Sequence, residues 1–363
     1  MKIGIVTFHR ALNYGALLQA FALKQTLNNL GAEAQLIDYR NPIIEEMYYY
    51  PCFFERKSPK ERIKYLIQGK KELERRKKFD CFRKKYLNLT ESIFYSDNIK
   101  STNEMYDRFI VGSDQVWNYG AHNFDENFLL YFVHDKKKKY SYAASFGVSK
   151  IPEEYAVKYN DLLNNFTMCS VREMQGLEIL KQLGIDRRRL DIDPTMLLTK
   201  KDWSLNFNIS VPPIKNKYIF TYYFELTDSL RNYIESIARQ TGYTVVYLGN
   251  PLKSPFNCKS FALKTADPED FIRSIANAEL VITNSFHGTA LSIIFNKNFY
   301  VEMLKKDSKV NGRIENILDL FNLNNRILRD NISDEKIKWV KINQKMAELR
   351  VQSLNYLKEI INE

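Results

Sequence analysis

An apolar run, followed by small polar residues and then by a helix-like repeat, recurs along the chain and constrains its fold more than any other feature. At the amino terminus, Ile3, Ile5 and Val6 predict a buried strand. Apolar residues recurring every three or four positions then predict a helix from Ala16 to Leu30. AQLIDY, residues 34–39, predicts the next strand, so a βαβ unit with a parallel sheet is expected.

The same alternation continues on both sides of a loop-like stretch at 200–217, which contains a Pro-Pro pair. The expected strands are 109–111, 140–144, 168–171, 218–224, 244–249 and 280–283, and the expected helices are 176–183, 228–241, one beginning at Asp267 and Pro268, and 290–295. A length of 363 residues suits two domains. We therefore expect an α/β protein with two Rossmann-like domains, 1–205 and 206–363, facing each other across a cleft. The second domain is expected to end in a long amphipathic helix over 333–361.

Most of the positive charge lies in one segment. Residues 56–86 hold fourteen Lys or Arg and four acidic residues, a net charge of +10, whereas the whole chain has +11. This composition predicts a basic helical insertion, at about 45–95, within the first domain. One interpretation is a helix that simply faces water, and the other is a contact with anionic lipid headgroups or a polyanionic substrate. Nucleic acid is not an expected partner, because neither a recognition motif nor interleaved stacking aromatics accompany the charge.

Three sequence patterns that would indicate where the protein is located are absent from the chain. No apolar run approaches the roughly 18 residues of a membrane span, and the apolar run before His9 is shorter than a signal-peptide core. The four cysteines are far apart, with no CxxC pair. We therefore expect a cytoplasmic chain with reduced thiols, and the basic segment suggests a peripheral position at the inner face of the membrane.

VITNSFHGTALSII, residues 281–294, contains the last histidine of the chain, His287. The expected strand and helix place it at the start of a helix, where backbone N–H groups and the helix dipole favour an anion. Gly288 would let a ligand approach the backbone closely. Such a histidine can bind a phosphate or carboxylate and can transfer a proton near neutral pH. The alternative interpretation is a turn residue between two buried elements.

Three other segments have the same layout. NYGALLQAFAL places Asn13, Tyr14 and Gly15 at a helix start, without a Walker or GxGxxG motif. GSDQVWN places residues 113–115 beyond a strand, where an Asx turn is the alternative. SVRE places Arg172 at a strand end, where its guanidinium could bind a carboxylate or phosphate with two hydrogen bonds or form a surface salt bridge. DID, at 191–193, is interpreted as a turn cap rather than a metal ligand set.

Six segments follow one another in the chain: KIGIVTFHRALNYGALLQAFAL, FIVGSDQVWN, SYAASFG, SVREMQGLEIL, DPTMLL and NSFHGTALSII. Together they resemble the polysaccharide pyruvyl transferase family over roughly 2–320. The resemblance implies a two-domain fold similar to that of GT-B glycosyltransferases. It also implies transfer of pyruvate from phosphoenolpyruvate to a sugar as a cyclic ketal. The expected acceptor is a capsule, exopolysaccharide or cell-wall glycan precursor, which can be lipid-linked.

By motif, the family's histidine corresponds to His287 and its arginine to Arg172, while a downstream basic residue corresponds to Lys309, with Arg313 as the substitute. His287 is the candidate proton donor or assistant to phosphate departure, and Asp114 is the candidate base. The expected catalytic residues are His287, Arg172, Lys309 and Asp114; the expected substrate-binding residues are Asn13, Tyr14, Gly15, Gly112, Ser113, Gln115, Trp117, Asn284, Ser285, Gly288 and Arg313. No metal and no cofactor are expected, because cationic side chains would neutralise the phosphate.

The sequence is also compatible with two alternative functions. A glycosyltransferase with the same architecture would consume a nucleotide sugar, and a sugar-binding or polyanion-binding protein would show affinity without turnover. A shared fold does not distinguish these functions.

Overall fold

The computed structural model describes residues 1–304, 311–329 and 335–362. It contains two compact units. Unit 1 comprises Met1–Tyr48, Arg83–Leu198 and Val340–Glu363, and unit 2 comprises Tyr49–Phe82 and Thr199–Trp339.

The described strands are β1 (Lys2–Val6), β2 (Glu33–Tyr39), β3 (Leu89–Phe94), β4 (Arg108–Val111), β5 (Lys139–Ser141), β6 (Cys169–Val171), β7 (Arg188–Leu190), β8 (Tyr218–Tyr222), β9 (Thr244–Leu248), β10 (Ser260–Leu263), β11 (Leu280–Thr283) and β12 (Phe299–Val301). The described α-helices are α1 (Tyr14–Asn29), α2 (Pro42–Met47), α3 (Pro59–Tyr86), α4 (Glu153–Leu163), α5 (Met174–Gln182), α6 (Lys200–Asn206), α7 (Asp228–Thr241), α8 (Pro268–Ala276), α9 (Phe286–Ile294), α10 (Asn311–Leu320) and α11 (Trp339–Asn362).

Unit 1 is built on a parallel sheet with the strand order β3-β2-β1-β4-β5. The short parallel pair β6-β7 is joined to its β5 edge by isolated bridges, from Tyr140 to Met168 and from Ala144 to Val171. The central strands are apolar on both faces, as a buried parallel sheet requires: the adjacent residues Ile5 and Val6, which point to opposite faces, are 0% and 1% exposed. From β1 the chain adds β2 and β3 on one side of the sheet and then β4 and β5 on the other, so the strand order reverses between β1 and β4. Open α/β sheets bind ligands at the carboxyl ends of the strands beside such a reversal.

Unit 2 repeats this plan with the strand order β10-β9-β8-β11-β12, again fully parallel. Here the order reverses between β8 and β11, so the carboxyl end of β11 lies at the corresponding position. The expected α/β fold with two Rossmann-like domains is therefore confirmed. Among the described residues, no helix is both long and apolar enough to cross a bilayer.

The terminal helix α11 packs on unit 1, and this differs from the expected second domain of 206–363. Tyr356 donates a hydrogen bond to the carbonyl oxygen of Ser141 over 2.9 Å, and Ser353 donates to Asp191 Oδ1 over 2.9 Å. These buried polar contacts place 340–363 with the first sheet.

The basic segment forms a single helix, α3, but most of it packs on unit 2. The ring of Phe82 stacks on Phe207 with 5.9 Å between centroids, and Lys78 Nζ lies 3.6 Å from Asp270 Oδ2. A basic helical insertion belonging to the first domain is therefore not confirmed. Phe207 and Asp270 lie far along the chain from α3, so local composition does not reveal these partners.

Candidate functional site

Helix α1 begins immediately after the loop that follows β1. Asn13 is its N-cap, and Asn13 Oδ1 accepts a hydrogen bond from the backbone N–H of Ala16 over 3.2 Å. Asparagine favours this position because its side chain satisfies one of the otherwise unpaired N–H groups of the first turn. Tyr14 and Gly15 form the start of the helix and are buried. All three residues therefore lie at the helix start that the sequence predicts.

Gln19 connects this helix to the segment after β4, and sequence reasoning missed it. Its side chain is fully buried, and Oε1 accepts from the backbone N–H of Ser113 over 3.0 Å. Its amide group donates to Thr7 Oγ1 over 2.9 Å, and Thr7 Oγ1 donates to the carbonyl oxygen of Ser113 over 3.1 Å. The only sequence signal was a polar side chain within an otherwise apolar helix stretch. Gln19 thus holds the residues that precede Asp114.

The backbone at 112–114 has an unusual conformation. Gly112 has φ +118°, and an added Cβ would lie 2.4 Å from the carbonyl oxygen of Tyr142, so only glycine fits. Asp114 has φ +66°, in the left-handed region that aspartate tolerates better than most residues. The carbonyl oxygen of Asp114 accepts from the backbone N–H groups of Val116 and Ser145. The close contact at Gly112 and the two hydrogen bonds to Asp114 therefore fix the backbone of the turn after β4.

Arg172 follows β6 and is surrounded by three carboxylates. Its Nη1 donates to Asp193 Oδ2 over 2.8 Å, and its Nη2 donates to Asp114 Oδ1 over 3.2 Å. Its Nε lies 3.4 Å from Glu173 Oε2. Burial by itself would lower the pKa of Arg172, but the charges of Asp114, Asp193 and Glu173 outweigh burial and raise it. The guanidinium therefore remains charged.

The sequence suggested that the guanidinium of Arg172 would bind a carboxylate or phosphate of the substrate, and that role stays a prediction. In the structure, its Nη1 and Nη2 each donate a hydrogen bond to a protein carboxylate. Its side chain is only 1% exposed, whereas that of Asp114 is 12% exposed. Asp114 is thus the member of the pair that is more accessible to solvent. We call Asn13, Ser113, Asp114, Arg172, Glu173 and Asp193 the Asp114 group.

Tyr48, which follows α2, is a further residue that sequence reasoning missed. Burial raises the pKa of its hydroxyl, and the negative charge of Asp114 raises it further. The phenol therefore stays protonated and lies within electrostatic reach of Asp114. A tyrosine that follows a helix carries no sequence signal of such a position.

Other expected residues of unit 1 have structural roles. Trp117 has no exposed surface and packs in the core against Phe146 and Phe166, and its expected contact with substrate stays a prediction. Ser113 is also fully buried, and its hydroxyl donates to the carbonyl oxygen of Ala143 over 2.7 Å. Gln115 is partly exposed and accepts from Asn118.

The DID segment is a turn cap, as expected. Asp193 Oδ1 accepts from the backbone N–H of Thr195 over 3.0 Å. Asp191 accepts from Ser170, Arg189 and Ser353. Within the described part of the chain, no group of three or more His, Cys, Asp or Glu side chains is arranged to hold a metal ion.

In unit 2, His287 lies in the first turn of α9, directly after β11. Ser285 is the N-cap, and its hydroxyl accepts from the backbone N–H of Gly288 over 3.4 Å. The helix begins four residues earlier than 290, where the sequence predicted it, but His287 still lies at the positive end of the helix dipole. His287 is 6% exposed, and its ring meets that of Phe286 edge to face with 5.1 Å between centroids.

Gly288 has a packing role that the sequence did not predict. An added Cβ would lie 2.6 Å from Thr283 Oγ1, so glycine is needed for α9 to pack closely on the end of β11. Thr283 is itself held in place, because its hydroxyl donates to the carbonyl oxygen of Tyr222 and accepts from the backbone N–H of Ser285. Close packing of α9 on β11 therefore requires a glycine here, and the close approach of a ligand to Gly288 stays a prediction.

The side chain of Asn284 makes hydrogen bonds within the protein, and its expected contact with substrate stays a prediction. Its Oδ1 accepts from the backbone N–H of Phe224 over 2.8 Å, and its Nδ2 donates to the carbonyl oxygen of Glu225 over 2.8 Å and to Glu302 Oε2 over 3.3 Å. The side chain is fully buried, and its amide oxygen and nitrogen both have protein partners. Asn284 and Glu302, which the sequence did not single out, thus join the ends of β8, β11 and β12.

Of the two basic residues expected downstream, Lys309 lies outside the described residues. Arg313 lies in α10, which packs against α9, and it is 7% exposed. Asn311 bonds through both its amide oxygen and its amide nitrogen to the backbone of Leu304. We call Ser285, His287, Gly288 and Arg313 the His287 group.

The comparisons with known proteins agree with this architecture. The sequence model of the family described as polysaccharide pyruvyl transferase matches residues 13–301. No curated protein matches the chain by sequence.

Solved structures resemble the fold at low sequence identity. A protein assigned as a UDP-N-acetylglucosamine 2-epimerase, from Listeria monocytogenes, is 10% identical with a TM-score of 0.50, over 98% of this chain and 90% of that one. The UDP-GlcNAc 2-epimerase from Neisseria meningitidis is 9% identical with a TM-score of 0.49, over 100% of this chain and 94% of that one. At this identity the likeness concerns the fold alone.

The matched range includes both residue groups except Arg313, and it contains the two strand ends that carry Asp114 and His287. It also covers well over half of the chain. The chain therefore belongs to the polysaccharide pyruvyl transferase family, and it is a transferase.

Proposed function

We propose that the chain transfers the pyruvyl group of phosphoenolpyruvate to a sugar of a capsule, exopolysaccharide or cell-wall glycan precursor, forming a cyclic ketal and releasing phosphate. The observation that carries this proposal is the family match over 13–301, which spans α1 to β12. The polar groups after β4, β6 and β11 support it, because they lie where open α/β sheets bind ligands.

The reaction sets three requirements. The methylene carbon of phosphoenolpyruvate gains a proton and becomes a methyl group, and one sugar hydroxyl attacks C2. Phosphate then leaves with the electrons of its bond to C2, and a second hydroxyl of the same sugar closes the ketal. Each hydroxyl loses one proton, so the site needs a proton donor, a proton acceptor and cations that stabilise the departing phosphate.

His287 is our candidate for the proton donor, or for the group that assists the departing phosphate. Its position in the first turn of α9 favours an anion beside it, because the N–H groups of that turn point outward along the helix axis. An imidazole is the side chain whose ordinary pKa allows proton transfer near neutral pH.

Asp114 is our candidate for the base that accepts a proton from a sugar hydroxyl. Its turn is fixed by Gly112 and by two backbone hydrogen bonds, and Arg172 binds one of its carboxylate oxygens. Arg172 acts in this account as a positioning residue, since its donors are directed at protein carboxylates. Tyr48 and the partly exposed Asn13 are further candidates for contacts with sugar hydroxyls.

Lys309 and Arg313 are our candidates for the cations that bind the donor's phosphate or carboxylate. Such cations would supply the charge neutralisation that a metal ion supplies in other transferases, so we propose catalysis without a metal or a cofactor. We also propose that the reaction takes place in the cytoplasm, on a precursor that can be lipid-linked.

The proposal is tested by phosphate release from phosphoenolpyruvate. Purified protein is offered a panel of lipid-linked and nucleotide-linked sugars, with the consumption of UDP-sugars measured in parallel. We expect phosphate release only when an acceptor sugar is present. Consumption of a UDP-sugar without phosphate release from phosphoenolpyruvate would instead identify a glycosyltransferase.

A further inference from the structure

Three large aliphatic side chains are exposed together on α3. Ile63, Leu66 and Ile67 are 58%, 69% and 61% exposed, although side chains of this kind are usually buried. Their spacing of three and four residues places them on one face of the helix, where they form a continuous patch. Exposed apolar residues that cluster in this way mark an interaction surface more often than scattered ones do. We call these residues the aliphatic stripe.

The opposite face of this part of α3 is attached to the protein. The ring of Tyr65 stacks on Tyr50 with 5.8 Å between centroids, and the guanidinium of Arg56 lies 4.7 Å from the Tyr65 ring. Nearby, Asn250 donates a hydrogen bond to the carbonyl oxygen of Gln68 over 3.3 Å. These contacts fix the rotation of the helix, so the aliphatic stripe faces away from the residues that hold it.

Positive charges flank the stripe. The exposed lysines nearest to it along the helix are Lys60, Lys64, Lys70 and Lys71. The acidic residues of the same stretch are fewer, and Glu74 is paired with Lys71 over 3.1 Å. An apolar face bordered by lysines is the pattern of helices that lie in the interface of an anionic membrane, where the long lysine stems let the ammonium groups reach the headgroups.

We propose that this face of α3 docks on an anionic lipid bilayer, with the aliphatic stripe inserted at the level of the upper acyl chains and the flanking lysines among the headgroups. Charge complementarity selects this occupant. A second copy of the chain, related by twofold symmetry, would place the same lysines against one another. The inference does not depend on the proposed reaction, since docking requires no turnover.

Vesicle flotation tests the proposal with the full chain. Phosphatidylcholine vesicles are compared with vesicles that also contain phosphatidylglycerol, and the fraction of protein that floats gives a partition constant. The stripe variant is Ile63→Ser, Leu66→Ser and Ile67→Ser combined, and its matched control changes three exposed aliphatic residues elsewhere, Leu205→Ser, Val211→Ser and Leu252→Ser. The charge variant combines four substitutions of the flanking lysines: Lys60→Gln, Lys64→Gln, Lys70→Gln and Lys71→Gln. Its control changes four exposed lysines elsewhere: Lys137→Gln, Lys150→Gln, Lys181→Gln and Lys201→Gln.

We expect the wild type and both controls to float with the anionic vesicles only. The stripe variant and the charge variant should each lose at least about tenfold in partitioning, because apolar insertion and charge attraction both contribute to interfacial binding. A wild type that stays with the soluble fraction would overturn the proposal. A stripe variant that floats like the wild type would also overturn it, since binding would then be electrostatic alone.

A single substitution tests insertion without relying on loss of binding. Leu66→Trp places an indole on the stripe at a position that is mostly exposed, so folding is not at risk. Its emission, taken as the difference from the wild type, should shift to shorter wavelength on anionic vesicles and not on phosphatidylcholine. An unshifted emission on vesicles that carry the protein would contradict insertion. Dimers that form without lipid and disappear in the stripe variant would identify a second copy as the occupant instead.

Discussion

Three carboxylates surround the guanidinium of Arg172, and this determines what the side chain can do. Asp114, Glu173 and Asp193 are themselves buried, so the arginine offsets charges that would otherwise repel one another out of water. The sequence placed Arg172 correctly at a strand end but could not reveal its partners. Asp193 lies 21 residues away and Asp114 lies 58 away, and only the sheet brings them together.

Replacement of Arg172 tests its role as a positioning residue. We expect Arg172→Gln to lower the free energy of unfolding by about 3 kcal/mol, because three buried carboxylates lose their counter-ion. Arg231→Gln is the control, since it removes an exposed ion pair with Asp228 and should cost less than about 1 kcal/mol. Urea denaturation measures both changes.

Kinetics of Arg172→Lys separate positioning from direct binding. A lysine keeps the charge but cannot bind Asp114 and Asp193 with the same geometry. We expect kcat to fall while KM for phosphoenolpyruvate changes little. A large rise in KM at unchanged kcat, with normal stability, would show that Arg172 binds the donor itself.

Asp38 gives a prediction about pH. Burial would raise the pKa of this carboxyl, but hydrogen bonds from His9 and Arg40, and the charges of those groups, lower it overall. Because the folded-state pKa is depressed, the stabilisation is present above about pH 4, where an unfolded aspartate is ionised, and is lost as the pH falls through the folded-state value.

We therefore expect Asp38→Asn to destabilise the protein by about 3 kcal/mol at neutral pH. The difference from the wild type should shrink below about pH 4, as the wild type loses the same contribution. Asp186→Asn, at a fully exposed carboxyl, is the control. Urea denaturation at several pH values gives the measurement, and a difference that grows on acidification would contradict the account.

At the scale of elements, the sequence predicted the central strands well, but of the four edge strands of the two five-stranded sheets it predicted only β5. Apolar runs identified β1, β2, β4, β8, β9 and β11, which the sheets bury on both faces. LTESIF and SFAL, the edge strands β3 and β10, have exposed or half-exposed positions and lack such runs. The first turn of α9 was missed because FHGT has low intrinsic helix propensity, and packing on Thr283 decides its structure.

Two glycines test how tightly the turn after β4 is built. Gly112→Ala should destabilise unit 1 by about 3 kcal/mol, because the methyl group meets a backbone oxygen at a positive φ. Gly31→Ala also has a positive φ but meets nothing within 4 Å, so it should cost only about 1 kcal/mol. Thermal or urea unfolding compares the two, and equal costs would show that the contact with Tyr142 does not matter.

At the scale of the whole molecule, order along the chain did not predict which unit each segment joins. Helix α11 follows unit 2 in sequence but bonds to Ser141 and Asp191 of unit 1. Most of α3 interrupts unit 1 in sequence but contacts Phe207 and Asp270 of unit 2. Amphipathic patterns show that a helix packs on something, whereas the partner depends on contacts far along the chain.

The positions of the candidate residues were predictable for a related reason. Polar residues that follow the strands of a parallel sheet lie at the carboxyl edge of that sheet. This rule predicted the positions of four candidate residues, which follow β1, β4, β6 and β11: Asn13, Asp114, Arg172 and His287. The supporting contacts were not predictable. Gln19 on Ser113 and Asn284 on Glu302 are pairs of buried polar groups that only the folded chain brings together.

The most direct test of the central claim is the mass of the acceptor sugar after incubation with phosphoenolpyruvate. Wild-type protein should yield an acceptor heavier by one pyruvate less one water, with one phosphate released for each product. His287→Gln should lower that rate by about 10²-fold to 10⁴-fold while the protein stays folded, and His134→Gln, at an exposed histidine, should leave it unchanged. An acceptor of unchanged mass across the panel, or a His287→Gln protein that works at the wild-type rate, would contradict the account.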